Sequence, residues 1–239
     1  MAPYRLEKLD LREQIDNKDE YKEKLKTLQL RLLSYQRKIL ESKRNIILVF
    51  EGPDAAGKGG VIKRVTERMD PRMIRVYSVV KPTHEEYQHH YLWRFWNKIP
   101  PYGHMAIFDR SWYGRVLVER IEKFATEREW KRAYQEISDF ERTLTDDGSL
   151  LMKFYIHISK EEQLRRFKAR EEDPYKHWKI NEEDWRNRRK WTQYIVAAED
   201  MFEKTSTPQC PWHLIEGEFK WHARVKVLKT VLKKIEDSF

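Results

Sequence analysis

One stretch near residue 50 constrains the fold of this chain more than any other. Residues 45–50 are an apolar run with β-branched side chains, which is typical of a buried strand. The run is followed by Gly52, by a turn of Pro53 and small residues, and by an amphipathic segment from about Gly57. A buried strand, a glycine turn and a helix in this order favour an α/β fold.

The spacing in this turn is that of a phosphate-binding loop, or P-loop. Four residues separate Gly52 from Gly57 and Lys58, and the strand before and the helix after supply the context that the motif needs. Glycines let backbone N–H groups converge on phosphate oxygens, the helix N-terminus adds partial positive charge, and the lysine adds a full charge. The alternative is a glycine-rich turn that contains a lysine by chance.

The residue after the P-loop lysine departs from the usual pattern. A serine or threonine normally stands there, and its hydroxyl binds Mg²⁺. This chain has Gly59 followed by Gly60, and a carboxylate, Asp54, lies within the loop. Because Mg²⁺ takes hard oxygen ligands and often one or two carboxylates, Asp54 is the expected replacement ligand.

The composition indicates a packed globular protein with an anionic partner. We expect the 239 residues to form a single domain over 1–239 with a sizeable core. The net charge of +9 favours nucleic acid, a phosphorylated metabolite or a membrane surface as partner, without choosing among them. The single cysteine, Cys210, excludes an intrachain disulfide and a cysteine-built zinc site.

Hydropathy predicts neither a membrane span nor a secretion signal. No apolar run approaches the roughly eighteen residues of a membrane span, and the N-terminus lacks the apolar core of a signal peptide. We therefore expect a cytoplasmic protein that does not associate with a membrane.

The N-terminal segment has helical periodicity. Over residues 4–44 the apolar positions recur at intervals of three and four, at Tyr21, Leu25, Leu28, Leu32, Tyr35 and Ile39. This pattern predicts a long helix that lies on the core, and a role in subunit contact is the alternative.

The rest of the chain alternates between predicted strands and helices. The strands are predicted at residues 73–80, 104–110, 150–158 and 212–216. The helices are predicted at about 57–69, 84–97, 112–124, 127–146, 182–204 and 219–235. The histidines His84, His89 and His90 have no acidic or cysteine partner at a ligand spacing, so a helix with packed aromatic side chains is favoured over a metal site.

A second carboxylate ends the apolar run of residues 104–108. In doubly wound sheets the carboxyl ends of strands form the ligand site, so Asp109 is expected to hold Mg²⁺ directly or through water. Arg110 follows where its side chain would reach the same phosphates. The alternative role for Asp109 is to cap the next helix.

The most basic part of the chain is residues 165–190. Its ten cationic residues are Arg165, Arg166, Lys168, Arg170, Lys176, Lys179, Arg186, Arg188, Arg189 and Lys190. Two charged helices separated by a loop at 171–176 predict a lid that excludes water and neutralises phosphate charge. The alternative is a solvated helical hairpin.

Together the P-loop of residues 52–60, the Phe-Asp-Arg-Ser-Trp-Tyr stretch of residues 108–113 and the basic segment around Arg170 resemble the family-2 polyphosphate kinases. The resemblance extends from about residue 45 to the C-terminus. It implies a three-layer α/β P-loop kinase fold with a parallel sheet, like that of thymidylate kinases, and a helical lid. It also implies Mg²⁺-dependent phosphoryl transfer between inorganic polyphosphate and purine nucleotides, without nucleic acid, in a homodimer or homotetramer.

The resemblance assigns roles to individual residues. The family's catalytic positions correspond to Asp54, Lys58, Asp109, Arg110 and Arg170. Of these, Asp54 and Asp109 resemble carboxylates associated with the metal, and Arg170 resembles the lid arginine.

Binding positions are implied in the same way. Lys81 resembles the lysine on the polyphosphate side, and Arg115 and Glu119 lie in the motif region after Asp109. The remaining binding residues belong to the P-loop, and they are Gly52, Ala55, Ala56, Gly57, Gly59 and Gly60.

The acceptor is expected to be AMP, which becomes ADP, and also ADP, which becomes ATP. Gly114 stands where diphosphate-specific members often carry asparagine, and residues 109–121 and 182–191 are closer to AMP-phosphorylating members. Some of those members contain two fused P-loop domains, whereas this sequence predicts one, with residues 1–44 as a helical extension and about 165–190 as the lid.

Two other functions remain open from the sequence. An ATP-dependent nucleoside monophosphate kinase of the same fold would be expected to carry serine or threonine in place of Gly59. A non-catalytic P-loop protein would use the positive charge to bind nucleic acid, although no strong aromatic–basic recognition motif supports this function.

Overall fold

Five short apolar segments form the strands of one parallel sheet. The computed structural model describes residues 5–238 of the chain. The strands are β1 (Ile46–Glu51), β2 (Ile74–Ser78), β3 (Met105–Asp109), β4 (Leu150–His157) and β5 (Trp212–Glu216). They lie in the order β2-β3-β1-β4-β5, and each neighbouring pair is parallel. All five strands predicted from the sequence are therefore confirmed.

The central position of β1 determines where the loops after the strands meet. Every residue of β1 and β4 is buried, as expected for parallel strands covered on both faces. The chain runs from β1 to β2 and β3 on one side and to β4 and β5 on the other, and ligands bind where such an order reverses. Phe50 pairs with Asp109, so the loops after β1 and β3 leave the sheet side by side.

The helices cover both faces of the sheet. In the described part of the chain they are α1 (Lys18–Glu41), α2 (Lys58–Thr66), α3 (His84–Tyr87), α4 (Trp93–Trp96), α5 (Val118–Ile121), α6 (Glu127–Asp146), α7 (Lys160–Glu171), α8 (Glu182–Arg189), α9 (Trp191–Thr205) and α10 (Lys220–Glu236). Side chains alternate between the faces of β1. Ile46 and Leu48 join a core with α1, α2 and α10, whereas Ile47 and Val49 join one with α6 and α9. This arrangement confirms the predicted α/β architecture.

No helix of residues 5–238 is long and apolar enough to cross a membrane.

The predicted N-terminal helix begins later than expected. Its apolar positions are buried, apart from Tyr35, which is half-buried against the same core. The Asn17 side chain accepts hydrogen bonds from two N–H groups of the first turn, and this cap starts α1 at Lys18. Leu6–Lys8 form a short 3₁₀ turn instead of helix. The prediction of a continuous helix was therefore wrong before Lys18, and residues 1–4 of the predicted extension lie outside the described residues.

Two further helices were predicted wrongly on the rim of the sheet. Over residues 84–97, bonds to the third preceding residue, such as Trp93 N–H to His90 O, separate α3 from α4. Over residues 112–124, a 3₁₀ turn precedes α5, and Leu117 has backbone angles outside the helical region. Each segment consists of short helices and turns, and both contribute to the wall of a cavity beside the P-loop.

A buried histidine at the end of β4 makes the stability of the fold depend on pH. Burial lowers the pKa of His157 to about 4, against an ordinary value of 6.5, and its Nδ1 has no hydrogen-bond partner among residues 5–238. The folded state therefore binds fewer protons than the unfolded state between these values. Protonation then favours unfolding, so stability falls as the pH falls.

We expect the free energy of unfolding to drop by about 3 kcal/mol between pH 7 and pH 4 through His157 alone. Urea unfolding at a series of pH values measures this drop. His157→Gln should remove that part of the dependence, whereas His84→Gln, at an exposed position, should leave it in place. An equal pH dependence in His157→Gln and the unmodified protein would contradict the assignment.

Candidate active site

The P-loop leaves the sheet at the end of β1 in a conformation that its glycines permit. Gly52 has φ of +139°, and a Cβ there would lie 2.3 Å from the carbonyl oxygen of Ile156, so only glycine fits. Gly57, with φ of +110°, stands immediately before α2, and Ala55 also has a positive φ, of 62°. The loop thus turns tightly over the sheet and presents the N-terminus of α2.

Lys58 is held inside this loop. Its side chain is buried, and Nζ donates to the carbonyl oxygens of Gly52 at 2.8 Å and Pro53 at 3.2 Å. Burial lowers the pKa of Lys58, and repulsion from Arg110 acts in the same direction. Because an ammonium group has three donors, one N–H remains for an anion.

Asp54 is the acidic residue of the loop, and both of its carboxylate oxygens are bound. Oδ1 accepts from Arg110 Nη2 at 2.5 Å, and Oδ2 accepts from Asn187 Nδ2 at 2.9 Å. Burial alone would raise the pKa of Asp54, but the positive charges of Arg110 and Lys58 and the Asn187 hydrogen bond lower it below its ordinary value. Asp54 is therefore ionised at neutral pH.

Asp109 lies at the carboxyl end of β3, next to the start of α2. A Cβ at Gly59 would lie 3.9 Å from Asp109 Oδ2, which is an ordinary contact distance. The half-buried carboxylate accepts no hydrogen bond from any residue in the described range 5–238. Gly59 therefore leaves the space beside an ionisable, unbonded carboxylate free for a ligand.

These two aspartates fit Mg²⁺. Each oxygen of Asp54 keeps a lone pair beyond the hydrogen bond that it accepts, and the Asp109 carboxylate has no protein donor. Both carboxylates act electrostatically on Lys58 and Arg110, so both lie near the same two cations. The described residues contain no group of three or more His, Cys, Asp or Glu arranged for a metal, so phosphate and water would complete the coordination.

Arg110 adopts a strained backbone conformation next to Asp109. Its φ is +65°, which costs a non-glycine residue about 1–3 kcal/mol, and its N–H donates to the carbonyl oxygen of Phe50. The side chain is about half exposed while it pairs with Asp54. The guanidinium thus lies beside the P-loop carboxylate, and its predicted contact with phosphates stays a prediction.

Glu51 is a functional candidate that the sequence reasoning missed. It is the last residue of β1, it is buried, and it accepts a hydrogen bond from Ser111 Oγ at 2.8 Å. Burial raises the pKa of Glu51, whereas the Ser111 bond and the charge of Lys58 oppose this effect. The signal was present in the sequence, because an acidic residue ends an otherwise apolar strand.

A cavity of about 610 Å³ opens beside the P-loop. It is large enough for a nucleotide-sized ligand. Its wall includes the loop residues Gly52–Asp54, the segment 79–82 after β2, and Arg110. Lid residues, among them Asn187 in α8, face it from the opposite side.

Lys81, Gly114, Arg115 and Glu119 all line this cavity, and the binding roles of Lys81 and Arg115 stay predictions. The Arg115 guanidinium pairs with Glu119 at 3.1 Å and lies over the ring of Tyr91 at 4.5 Å. Lys81 is exposed to solvent. The wall therefore combines positive charge with aromatic surface.

Within the predicted lid, Arg166 rather than Arg170 contacts the P-loop, and the catalytic role of Arg170 stays a prediction. Arg170 does not line the cavity, and its Nη1 donates to the carbonyl oxygen of Lys179 within the lid. Arg166, one turn earlier in α7, is buried and donates to the carbonyl oxygens of Ala55 at 3.0 Å and Ala56 at 2.8 Å. The sequence offered no signal that distinguishes Arg166 within its basic run.

The predicted helix over 182–204 is also interrupted in this region. α8 and α9 meet at Lys190, whose φ of −96° and ψ of 19° end the first helix. This bend separates the lid helix α8 from α9, which packs in the core.

A second group of positive charges lies on the other side of the P-loop helix. The guanidinium of Arg224 lies 3.4 Å from the position of a Cβ on Gly60. Burial lowers the pKa of Lys220, and repulsion from Arg166, Arg165 and Arg224 adds to this effect. The charge of Glu162 opposes this effect, and neither Lys220 nor Arg224 forms a salt bridge within residues 5–238. We call Lys220 and Arg224 the basic pair.

A buried polar network anchors the segment that follows Arg110. The Glu141 carboxylate accepts from Trp112 Nε1 at 3.0 Å, from Tyr113 OH at 2.7 Å and from Lys153 Nζ at 2.7 Å. Lys153 is fully buried and also donates to the carbonyl oxygen of Thr205. Each charge is paired and hydrogen-bonded, as a low-dielectric interior requires. The network holds this wall of the cavity against the core.

Comparison with known proteins identifies the family to which the chain is similar. The family model described as Polyphosphate kinase 2 (PPK2) matches residues 15–238. A Polyphosphate:AMP phosphotransferase of Pseudomonas aeruginosa is 51% identical over 234 residues, which are 98% of this chain and 47% of that relative. An NDP-polyphosphate phosphotransferase of Ruegeria pomeroyi is 39% identical over 95% of this chain and 74% of its own.

A solved structure gives the same result. The crystal structure of Polyphosphate Kinase 2 from Arthrobacter aurescens TC1 superposes with a TM-score of 0.94 at 34% identity, over 99% of this chain and 87% of that one. The chain spans about half the length of the Pseudomonas relative. With a family match over residues 15–238 and a P-loop built as described, the chain belongs to the polyphosphate kinase 2 family.

Proposed function

We propose that this chain catalyses Mg²⁺-dependent phosphoryl transfer between inorganic polyphosphate and nucleoside phosphates. In this reaction polyphosphate converts AMP to ADP and ADP to ATP. The observation that carries the proposal is the Asp109 carboxylate, which has no hydrogen-bond donor within residues 5–238 and faces the side of Gly59 where a kinase P-loop usually carries a hydroxyl. The name of the 51% identical relative, a polyphosphate:AMP phosphotransferase, supports the choice of substrates.

The residues around the P-loop suit phosphoryl transfer, which requires positioning and charge neutralisation rather than covalent chemistry. Asp54 and Asp109 would hold Mg²⁺, which would offset the negative charge of the phosphates. Lys58 and Arg110 supply fixed positive charges to the transferred group. The nucleotide phosphate is the nucleophile and is already ionised at neutral pH, so no residue has to remove a proton from it.

A polyanionic donor accounts for positive charge outside the cavity. The basic pair, Lys220 and Arg224, forms no salt bridge among the described residues, and Arg224 lies beside Gly60. Neither residue lines the cavity. A nucleotide in the cavity leaves this surface for a phosphate chain that continues past the P-loop.

The cavity wall supports a nucleotide acceptor. Tyr91 and Trp191 provide aromatic surface, and Arg115, whose guanidinium lies over the Tyr91 ring, provides positive charge for its phosphates. Gly114 adds no side chain to the wall, and this leaves room near Glu119. The acceptor base and its phosphates would therefore occupy the same cavity.

We expect the purified chain, with Mg²⁺ and long-chain polyphosphate, to convert AMP to ADP and ADP to ATP. AMP, ADP, GMP and GDP are offered separately, and products are separated by anion-exchange chromatography. Reactions without polyphosphate and reactions with EDTA are the controls. Absence of transfer to every acceptor would exclude the proposed function.

The same assay separates the two alternatives. Faster transfer to AMP from ATP than from polyphosphate would favour a nucleoside monophosphate kinase. Salt-sensitive binding of RNA or DNA without any transfer would favour a nucleic-acid-binding protein.

A further inference from the structure

One side chain of the lid binds the Asp54 carboxylate. Arg110 holds Oδ1 from the β3 side, and Asn187 of α8 donates to Oδ2 at 2.9 Å. These two residues are the side chains that bind the Asp54 carboxylate within residues 5–238. Arg110 directly follows β3. Asn187 is therefore the residue of the lid that binds the Asp54 carboxylate.

A second hydrogen bond fixes the orientation of the Asn187 amide. Its Oδ1 accepts a hydrogen bond from the Tyr194 hydroxyl of α9 at 3.2 Å. Because the oxygen of the amide faces a donor, the nitrogen must face Asp54, and this orientation suits an ionised carboxylate. Burial raises the pKa of Tyr194, which keeps its hydroxyl protonated and able to donate.

The first turn of α8 carries negative charge near Asp54, whereas its last turn is basic. The first turn of α8 carries Glu182, Glu183 and Asp184, and the charge of Asp54 contributes to a raised pKa of Asp184. An acidic residue at 187 would add a further negative charge beside Asp54. An amide instead donates a hydrogen bond to the carboxylate without adding charge.

We propose that Asn187 is a positioning residue that holds the Asp54 carboxylate in the orientation in which it binds the divalent cation. This inference rests on the proposed function, in which Asp54 is a metal ligand. Hydrogen bonds to ligating carboxylates fix their orientation, and their loss commonly lowers metal affinity or activity by 10- to 100-fold. Asn187 thus makes cation binding depend on the placement of the lid helix.

The test compares Asn187→Leu, which keeps the approximate shape of the side chain but removes the donor, with the unmodified protein. We expect kcat to fall about 10- to 100-fold and the Mg²⁺ concentration for half-maximal rate to rise. Tyr194→Phe, which releases the amide without removing it, should lower kcat by about fivefold. Gln193→Leu is the matched control, because this exposed amide lies on α9 away from Asp54.

A second measurement does not depend on turnover. Mn²⁺ is titrated into the protein in the presence of AMP and without polyphosphate, and its binding is followed by electron paramagnetic resonance. Weaker Mn²⁺ binding in Asn187→Leu, but not in Gln193→Leu, supports the proposal. Unchanged Mn²⁺ affinity and an unchanged Mg²⁺ requirement in Asn187→Leu would overturn it.

Failure of the proposed function has a different signature. If the unmodified protein transfers no phosphoryl group from polyphosphate, the substrate assignment is wrong, whereas the Mn²⁺ titration still decides the role of Asn187. Melting temperatures of all variants confirm that each one is folded. Asn187→Ala provides a second variant in case leucine disturbs the packing of α8.

Discussion

Replacing Lys58 with alanine is expected to lower turnover by about a hundredfold or more. The ammonium group is buried in the P-loop and is held by two loop carbonyls, so its charge is fixed before any substrate binds. In a site shielded from water, such a charge stabilises a transferring phosphoryl group more strongly than it would in solvent. Initial rates of ADP formation from AMP and polyphosphate, at saturating concentrations, measure the loss.

Lys63→Ala is the matched control, because Lys63 is exposed on the same helix. Lys58 also bridges Gly52 and Pro53, so the melting temperature of both variants has to be compared with that of the unmodified protein. A near-normal rate in a folded Lys58→Ala variant would remove this lysine from the catalytic machinery.

Asp109→Asn is expected to have an effect of similar size, again about a hundredfold or more. The substitution keeps the shape of the side chain but removes the charge of a carboxylate that has no protein donor in the described structure. Because an amide oxygen is a weaker ligand for a hard cation, the Mg²⁺ concentration for half-maximal rate should rise as kcat falls. Rates measured over a range of Mg²⁺ concentrations determine both quantities.

Asp139→Asn supplies the comparison for Asp109. Asp139 lies on α6 and forms a partly exposed pair with Arg142, which is expected to contribute little to stability. Its replacement should leave both the rate and the Mg²⁺ requirement unchanged. If Asp109→Asn behaves like Asp139→Asn, the Asp109 carboxylate does not contribute to catalysis.

The parts of the site that the sequence predicted are those built from adjacent residues. The P-loop follows from a strand, a turn and a helix in immediate succession, and Asp109 follows from an apolar run that ends in an acid. Both patterns reflect short-range rules: side-chain alternation, glycine torsion angles and strand ends. The structure accordingly has β1, α2 and β3 where the sequence placed them.

The parts that the sequence could not predict depend on contacts between distant segments. Arg166 binds Ala55 and Ala56 across more than a hundred residues, and Asn187 reaches Asp54 from farther still. Within a run of ten cationic residues, nothing local shows which one faces the loop. Arg170 matched the resemblance, yet it lies one turn beyond Arg166 and binds within the lid.

The errors in secondary structure have a related cause. The segment 84–97 is rich in aromatic residues, and these predicted a packed helix. In the structure Phe95 enters the core while Tyr87 is exposed, and the backbone turns repeatedly to send side chains in both directions. An aromatic composition predicts that such side chains are buried. It does not predict the backbone path that places them in one wall of a cavity.

The central position of β1 has a consequence for the order in which the protein is made. Ile46 pairs with Met105 on one side and with Leu150 on the other, so the strand that carries the P-loop is synthesised long before both of its neighbours. Gly52 in turn packs against the backbone of Ile156. Pairings between distant segments form late, because a long loop must close first. A nascent chain that ends before β4 therefore carries the complete phosphate-binding sequence without the phosphate-binding site.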